Sequence, residues 1–190
     1  MGNRSRSSSL VAFFGIALLI AVGVGWILAK QSVDYLQTSA GADGRAAPVL
    51  QKRQVHLYFG DGNGRYLSAE QRVVDEPADV ASACRGLVQA LILGPSQGGT
   101  RTLPQDASLR NLFVTSEGVA YVDFKSDAFD HHPGGVETEM LTIYSIVNTL
   151  VLNMEEIRWV KFLIGGQEAA TLAGHVDLSR PFKADMLWVR

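Results

Sequence analysis

The sequence predicts an α+β domain carried behind a single N-terminal transmembrane helix. Three observations point there: an uncharged apolar run at residues 10–29, a polar stretch after it without helical or strand period, and then strand-like segments alternating with two helical periodicities. The order ββ-α-ββ-α-ββ predicts a mainly antiparallel sheet with two helices on one face.

Residues 10–29 read LVAFFGIALLIAVGVGWILA, twenty positions without a charge. A helix of about twenty residues spans a bilayer's hydrocarbon core with its backbone groups satisfied internally. Arg4 and Arg6 lie in the short tail, residues 1–9, with no acid beside them, whereas Lys30 on the other side is followed by Asp34. The basic bias predicts a cytoplasmic N-terminus, an inner-membrane anchor and an exported domain. A cleaved signal peptide is the alternative, but its apolar region is shorter, about 7–15 residues, and ends in a small-residue site that Ile27-Leu28-Ala29 resembles poorly. No cysteine stands where a lipid anchor would need one; the only cysteine, Cys84, also excludes an internal disulfide or a multi-cysteine metal site. Residues 30–52 read as a flexible linker with a reach on the order of 25 Å, leaving residues 53–190 as the domain.

Val55–Phe59 is rich in strand formers and stops at Gly60-Asp61-Gly62-Asn63-Gly64, and Tyr66–Val74 resumes the extended pattern as its hairpin partner. The glycine loop lacks the Lys-Ser/Thr ending and the following helix of a phosphate cradle, so it reads as a turn. Asp75-Glu76-Pro77 predicts a helix start, and Gly94-Pro95 its end. Val80, Ala83, Cys84, Leu87, Ala90 and Leu91 fall on one face between them, with Cys84 as a small buried hydrophobe. Leu109–Thr115 and Val119–Phe124 flank Ser116-Glu117-Gly118 as a second hairpin. A second helix follows over Val136–Asn153, with Met140, Ile143, Tyr144, Val147, Leu150 and Val151 as its apolar stripe. Ile157–Ile164, apolar on nearly both faces, reads as a central strand, and the Gly165-Gly166 turn pairs it with Glu168–Leu172.

Composition narrows the function. A net charge of −2 offers no basic field for nucleic acid, and from residue 52 on 13 Lys and Arg face 17 Asp and Glu, which argues against adhesion to anionic lipid. The one cluster that invites chemistry is Asp123, Asp127 and Asp130 with His131 and His132. The adjacent histidines sit in a Pro-Gly-Gly loop and point in different directions, so a solvated loop is preferred to a metal site. Ser126 and Ser145 lack a Gly-x-Ser-x-Gly elbow. Asp123 closes a strand where its carboxylate can accept nearby backbone N–H groups, a turn-forming role.

Several stretches together resemble the GerMN domain of GerM-type sporulation and spore germination proteins. They are Val55–Phe59, Leu91-Ile92-Leu93-Gly94-Pro95, Leu103-Pro104 with Leu109, Ala120–Phe124 with Ser126 and Phe129, Gly134-Gly135 with Glu139, Ser145-Ile146-Val147-Asn148-Thr149-Leu150, and Val160–Gly166. The resemblance covers about residues 54–182 and marks Gly94, Pro95, Asp123, Thr149, Gly165 and Gly166 as motif positions of structural character. The chain departs from the family in carrying a transmembrane helix where many relatives resemble lipoproteins, and one domain where some have two. The resemblance implies an envelope-facing, non-enzymatic module with no cofactor. The expected function is a membrane-anchored binding or scaffolding module that docks to an envelope protein or to peptidoglycan. The alternative is a cell-wall enzyme using the loop Asp123–His132. Edge-to-edge pairing into a homo-oligomer is a third expectation.

Overall fold

The computed structural model describes residues 51–190. The expected tail, membrane helix and nearly all of the linker lie outside them, and no helix among the described residues is long and apolar enough to cross a membrane. Strands β1 (Gln51–Gly60) and β2 (Leu67–Glu76) form an antiparallel hairpin in continuous register. Its turn is tied by the Asp61 carboxylate, which accepts the Arg65 N–H at 3.0 Å. β1 thus starts at Gln51, inside the stretch expected to be linker. β2 likewise runs through Asp75 and Glu76, which the sequence assigned to a helix start. The ion pairs Lys52–Asp75 and Arg53–Glu76 hold those acids to the opposite strand, and cross-strand charge pairs favour the extended form. Helix α1 (Val80–Leu93) begins instead at Asp79, whose Oδ1 accepts the Ser82 N–H at 2.8 Å. It ends where Gly94 takes φ 91°, a conformation that favours glycine, and donates its N–H to Leu91.

β3 (Leu109–Val114) and β4 (Val119–Phe124) form the second hairpin, α2 spans Val136–Asn153, and β5 (Trp159–Ile164) and the two-residue β6 (Gln167–Glu168) form the third. A 3₁₀ turn at Met186–Trp188 closes the chain. The pairing is mainly antiparallel as expected, but the expected single sheet is corrected to two: β1–β2 stands alone, and the second sheet runs β3-β4-β5-β6 with β4 and β5 parallel. The reason is α2. A helix between two neighbouring strands returns the chain to the same end of the sheet, so the strands it joins pair in parallel.

Both helices pack on one face of the four-stranded sheet. Leu112, Ala120, Val122, Phe124, Val160 and Phe162 meet Leu87 and Leu91 of α1, Ile143, Ile146 and Leu150 of α2, and Val55, Leu57 and Phe59 of β1 in one core. Cys84 lies fully inside it, and burial pushes its thiol up to about 12. The expected stripe on α2 understates its burial. Met140, Tyr144 and Val151 are only half-buried, while Thr142, Ser145, Asn148 and Thr149 are fully enclosed, because α2 has structure on nearly every side.

Candidate functional site

The acidic and histidine-containing loop does not converge. Asp123 is 2% exposed, and both its oxygens are engaged: Oδ1 accepts the Gly166 N–H at 2.8 Å, and Oδ2 accepts from Arg110 Nη1 at 2.6 Å. Its backbone partner lies 43 residues away rather than in its own turn. His131 pairs with Asp106 at 2.6 Å, while His132 Nε2 meets Thr142 Oγ1 at 2.9 Å. Burial lowers the His132 pKa and so favours its neutral ring. Asp127 and Asp130 face solvent. Among the described residues, no three His, Cys, Asp or Glu side chains are placed to hold a metal ion.

The motif positions instead explain the architecture. In an antiparallel pair, alternate residues turn their N–H and C=O to opposite edges. His56, Tyr58 and Gly60 turn theirs away from β2, and no strand receives them there. Three side chains of α2, spaced four residues apart, take that place. Asn153 accepts the His56 N–H at 2.9 Å and donates to the His56 carbonyl at 2.7 Å; Thr149 accepts the Tyr58 N–H at 3.1 Å; and Ser145 donates to the Tyr58 carbonyl at 2.6 Å. Gly60 completes the edge by exchanging backbone hydrogen bonds with Thr100, and a Cβ there would come within 2.3 Å of the Thr100 hydroxyl. Gly165 and Gly166, at φ 63° and 83°, make the β5–β6 turn that Asp123 holds. Gly94, followed by Pro95, offers its carbonyl to Arg72 at 2.6 Å.

Two further carboxylates that sequence reasoning did not assign a role follow the same rule. Glu139 is fully buried and accepts the N–H groups of Leu172, Ala173 and His175 at 2.8 to 3.0 Å. Glu70 accepts from the Ser96 hydroxyl, the Ser96 and Gln97 N–H groups and Arg72. Burial opposes the charge of Glu70, but these donors outweigh it and hold its carboxyl at about 2; for Glu139 burial again opposes, and the backbone donors lower the pKa.

The outer face of the four-stranded sheet carries no helix, and the chain covers it only in part, where buried Lys161 donates to the Leu178 and Ser179 carbonyls. Phe113 and Tyr121 stack there with ring centroids 4.7 Å apart, and Trp159 lies along the same face with Lys183 Nζ 4.2 Å from its centroid. Register puts all three opposite the core: Phe113 pairs with Tyr121, and Val119, two residues earlier on β4, pairs with Trp159. Both helices occupy the other face, and Phe113 keeps 43% exposure. Alternation in the sequence offers Leu112, Val114, Val119 and Tyr121 as core-facing; the register turns Leu112 and Val114 inward but Val119 and Tyr121 outward, because the hairpin turn between Val114 and Val119 shifts the alternation.

Fold and site together define a small α+β module whose buried polar groups serve its own architecture and whose open surface is aromatic. The sequence pattern of the Germane family, described as sporulation and spore germination, matches residues 56–170, and the chain belongs to that family. A crystal structure of a protein described as a candidate lipoprotein from Clostridium perfringens is 26% identical, with a TM-score of 0.50, covering 70% of this chain and 87% of the other. The tandem GerMN domains of the sporulation protein GerM from Bacillus subtilis share the fold at 23% identity and a TM-score of 0.59; the match covers 70% of this chain but 46% of the tandem chain. The first GerMN domain of the same protein matches at 22% identity and a TM-score of 0.55, over 69% of this chain and 97% of that domain. No curated protein sequence matches the chain.

Proposed function

We propose that this chain is a membrane-anchored, extracytoplasmic binding module of the bacterial cell envelope, held in the inner membrane by residues 10–29 with its N-terminus in the cytoplasm. It docks a protein partner through the outer face of the four-stranded sheet, and its role is recruitment rather than catalysis. The observation that carries this reading is the aromatic row on a face without a helix, with Phe113 exposed and Tyr121 and Trp159 half-buried beside it, flanked by Arg110 and Lys183. Tyr, Trp and Phe are enriched at protein interfaces, and Lys183 beside Trp159, Arg110 being paired with Asp123, favours a partner that brings a carboxylate to that end of the row. The C. perfringens relative, described as a candidate lipoprotein, supports an envelope setting. Asp123, engaged on both oxygens by Gly166 and Arg110, supports a non-catalytic role for the loop it begins.

The test is crosslinking in the native membrane from a photo-reactive phenylalanine analogue at position 113. The expected result is a protein adduct that disappears when Tyr121 and Trp159 are both replaced by alanine. An adduct pattern unchanged by those replacements, or no protein adduct, overturns the docking surface.

A further inference from the structure

The β1–β2 turn, the start of α2 and the C-terminal segment form an open cleft of about 450 Å³ lined by Arg65, Tyr66, Glu137, Asp185, Leu187 and Trp188. We propose that this cleft binds a neutral, N-acetylated sugar chain, the chemistry of a cell-wall glycan strand. The proposal rests on the envelope setting proposed above but uses a different surface from the protein-docking face.

The site is built before any ligand arrives. Trp188 is stacked on Tyr144 at 5.7 Å with an interplanar angle of 14°, and Tyr144 is braced edge-on by Phe182. One face of the indole is thereby packed, and its orientation at the cleft is set. Tyr66 is held likewise, with the Arg190 guanidinium 3.8 Å over its ring and the Arg190 N–H bonded to the Leu67 carbonyl. Asp185 is fixed through its main chain: its N–H and C=O are both taken by the Asn148 side chain, at 2.9 and 3.0 Å, from inside α2. This assigns a use to Asn148, a buried polar residue that the β1 edge does not employ. The Asp185 Oδ1 accepts the Leu187 N–H at 2.9 Å, which sets the 3₁₀ turn and presents Leu187 to solvent at 85% exposure.

The lining selects the ligand class. An indole face beside an aliphatic side chain suits the C–H face of a pyranose ring, while the tyrosine hydroxyl, two carboxylates and a guanidinium can bond ring hydroxyls and an acetamido group. The volume lies within the range of about 300–1,000 Å³ common to small-ligand sites. Glu137 and Asp185 balance the guanidiniums of Arg65 and of Arg190 over Tyr66, so the cleft has no net positive charge to select phosphate-rich polymers or anionic lipid head groups. A basic peptide is the competing occupant, and the test includes it.

The experiment is isothermal titration of the full chain, in a detergent lacking a sugar head group, with the N-acetylglucosamine tetramer, the glucose tetramer and a tri-lysine peptide. Saturable binding of the N-acetylated tetramer, weaker binding of the glucose tetramer, and a loss on the order of tenfold or more in Trp188→Ala are expected. Glu137→Gln lies on the exposed first turn of α2 and weakens binding without disturbing the Tyr144–Trp188 stack; Trp159→Ala leaves binding unchanged. No saturable binding of the N-acetylated tetramer, equal affinity in both cleft variants, or preference for the peptide overturns the proposal. If the glycan arm fails while the crosslinked partner at position 113 persists, the cleft assignment falls and the envelope module stands.

Discussion

The two sheets solve the problem of exposed surface in opposite ways. The β1–β2 hairpin has an edge without a strand, and Ser145, Thr149 and Asn153 of α2 close it with side-chain hydrogen bonds to His56 and Tyr58. The four-stranded sheet has backbone partners within it but leaves Phe113, Tyr121 and Trp159 on a face without a helix. An unsatisfied buried amide costs free energy however it arises, whereas an exposed aromatic ring costs little and is available to a partner. The contrast shows why the polar residues of this fold are poor candidates for chemistry: they act as substitutes for missing backbone partners. The aromatic residues are the ones without an internal task.

The largest effect expected from breaking this arrangement is at Glu139. Its carboxylate is the acceptor for three backbone N–H groups of one loop and has no exposure. Glu139→Ala leaves those donors buried without a partner, and a cost of about 3–5 kcal/mol is expected, since the loss of a charged acceptor exceeds that of a neutral one. Denaturant unfolding followed by circular dichroism measures it. A change below about 1 kcal/mol shows that water replaces the carboxylate and that the loop is not pinned from within.

The extent of the elements was readable where glycine and proline punctuate the chain. The bounds of β4 follow from Ser116-Glu117-Gly118, and those of α2 from the Pro133-Gly134-Gly135 loop and the length of its apolar period. Asp75-Glu76-Pro77 misled because acids before a proline mimic a helix start, while the cations that claim them, Lys52 and Arg53, lie 23 residues earlier on another strand. The parallel pairing of β4 and β5 depends on where α2 lays the chain, which local periodicity does not encode. The polar series Ser145, Thr149, Asn153 runs i, i+4, i+8 along α2, but its meaning was hidden because the β1 edge that receives it lies about 90 residues earlier in the chain. The cleft was not visible, because Tyr66, Glu137 and Trp188 come from three distant parts of the chain.

A smaller effect appears on acidification. The Glu70 carboxyl has a folded pKa of about 2 against an ordinary 4.5, so its folded pKa is depressed. The sign follows: the stability it contributes is fully present above pH 4.5 and is lost as pH falls toward about 2, because the unfolded chain takes up the proton first. Glu139 adds to the same trend in the same direction. Comparing unfolding free energies at pH 7 and pH 3 for wild type and Glu70→Gln isolates the Glu70 part. The wild type is expected to lose on the order of 2 kcal/mol more than the variant over that interval. Equal losses place the acid sensitivity elsewhere.

The smallest and sharpest test sets one residue from each sheet against the other. Thr149→Val keeps the shape of the side chain but removes the acceptor of the Tyr58 N–H, so stability is expected to fall by about 1–2 kcal/mol while crosslinking from position 113 persists. Phe113→Ala removes a ring that already meets solvent, so stability changes by less than about 1 kcal/mol, measured by the same denaturant titration. The two variants exchange effects only if the division of labour is wrong. Loss of docking in Thr149→Val without loss of stability would make the α2 stripe part of a site. A large destabilisation in Phe113→Ala would make the Phe113–Tyr121 stack a structural clamp, since a partner surface can be removed without weakening the fold that presents it.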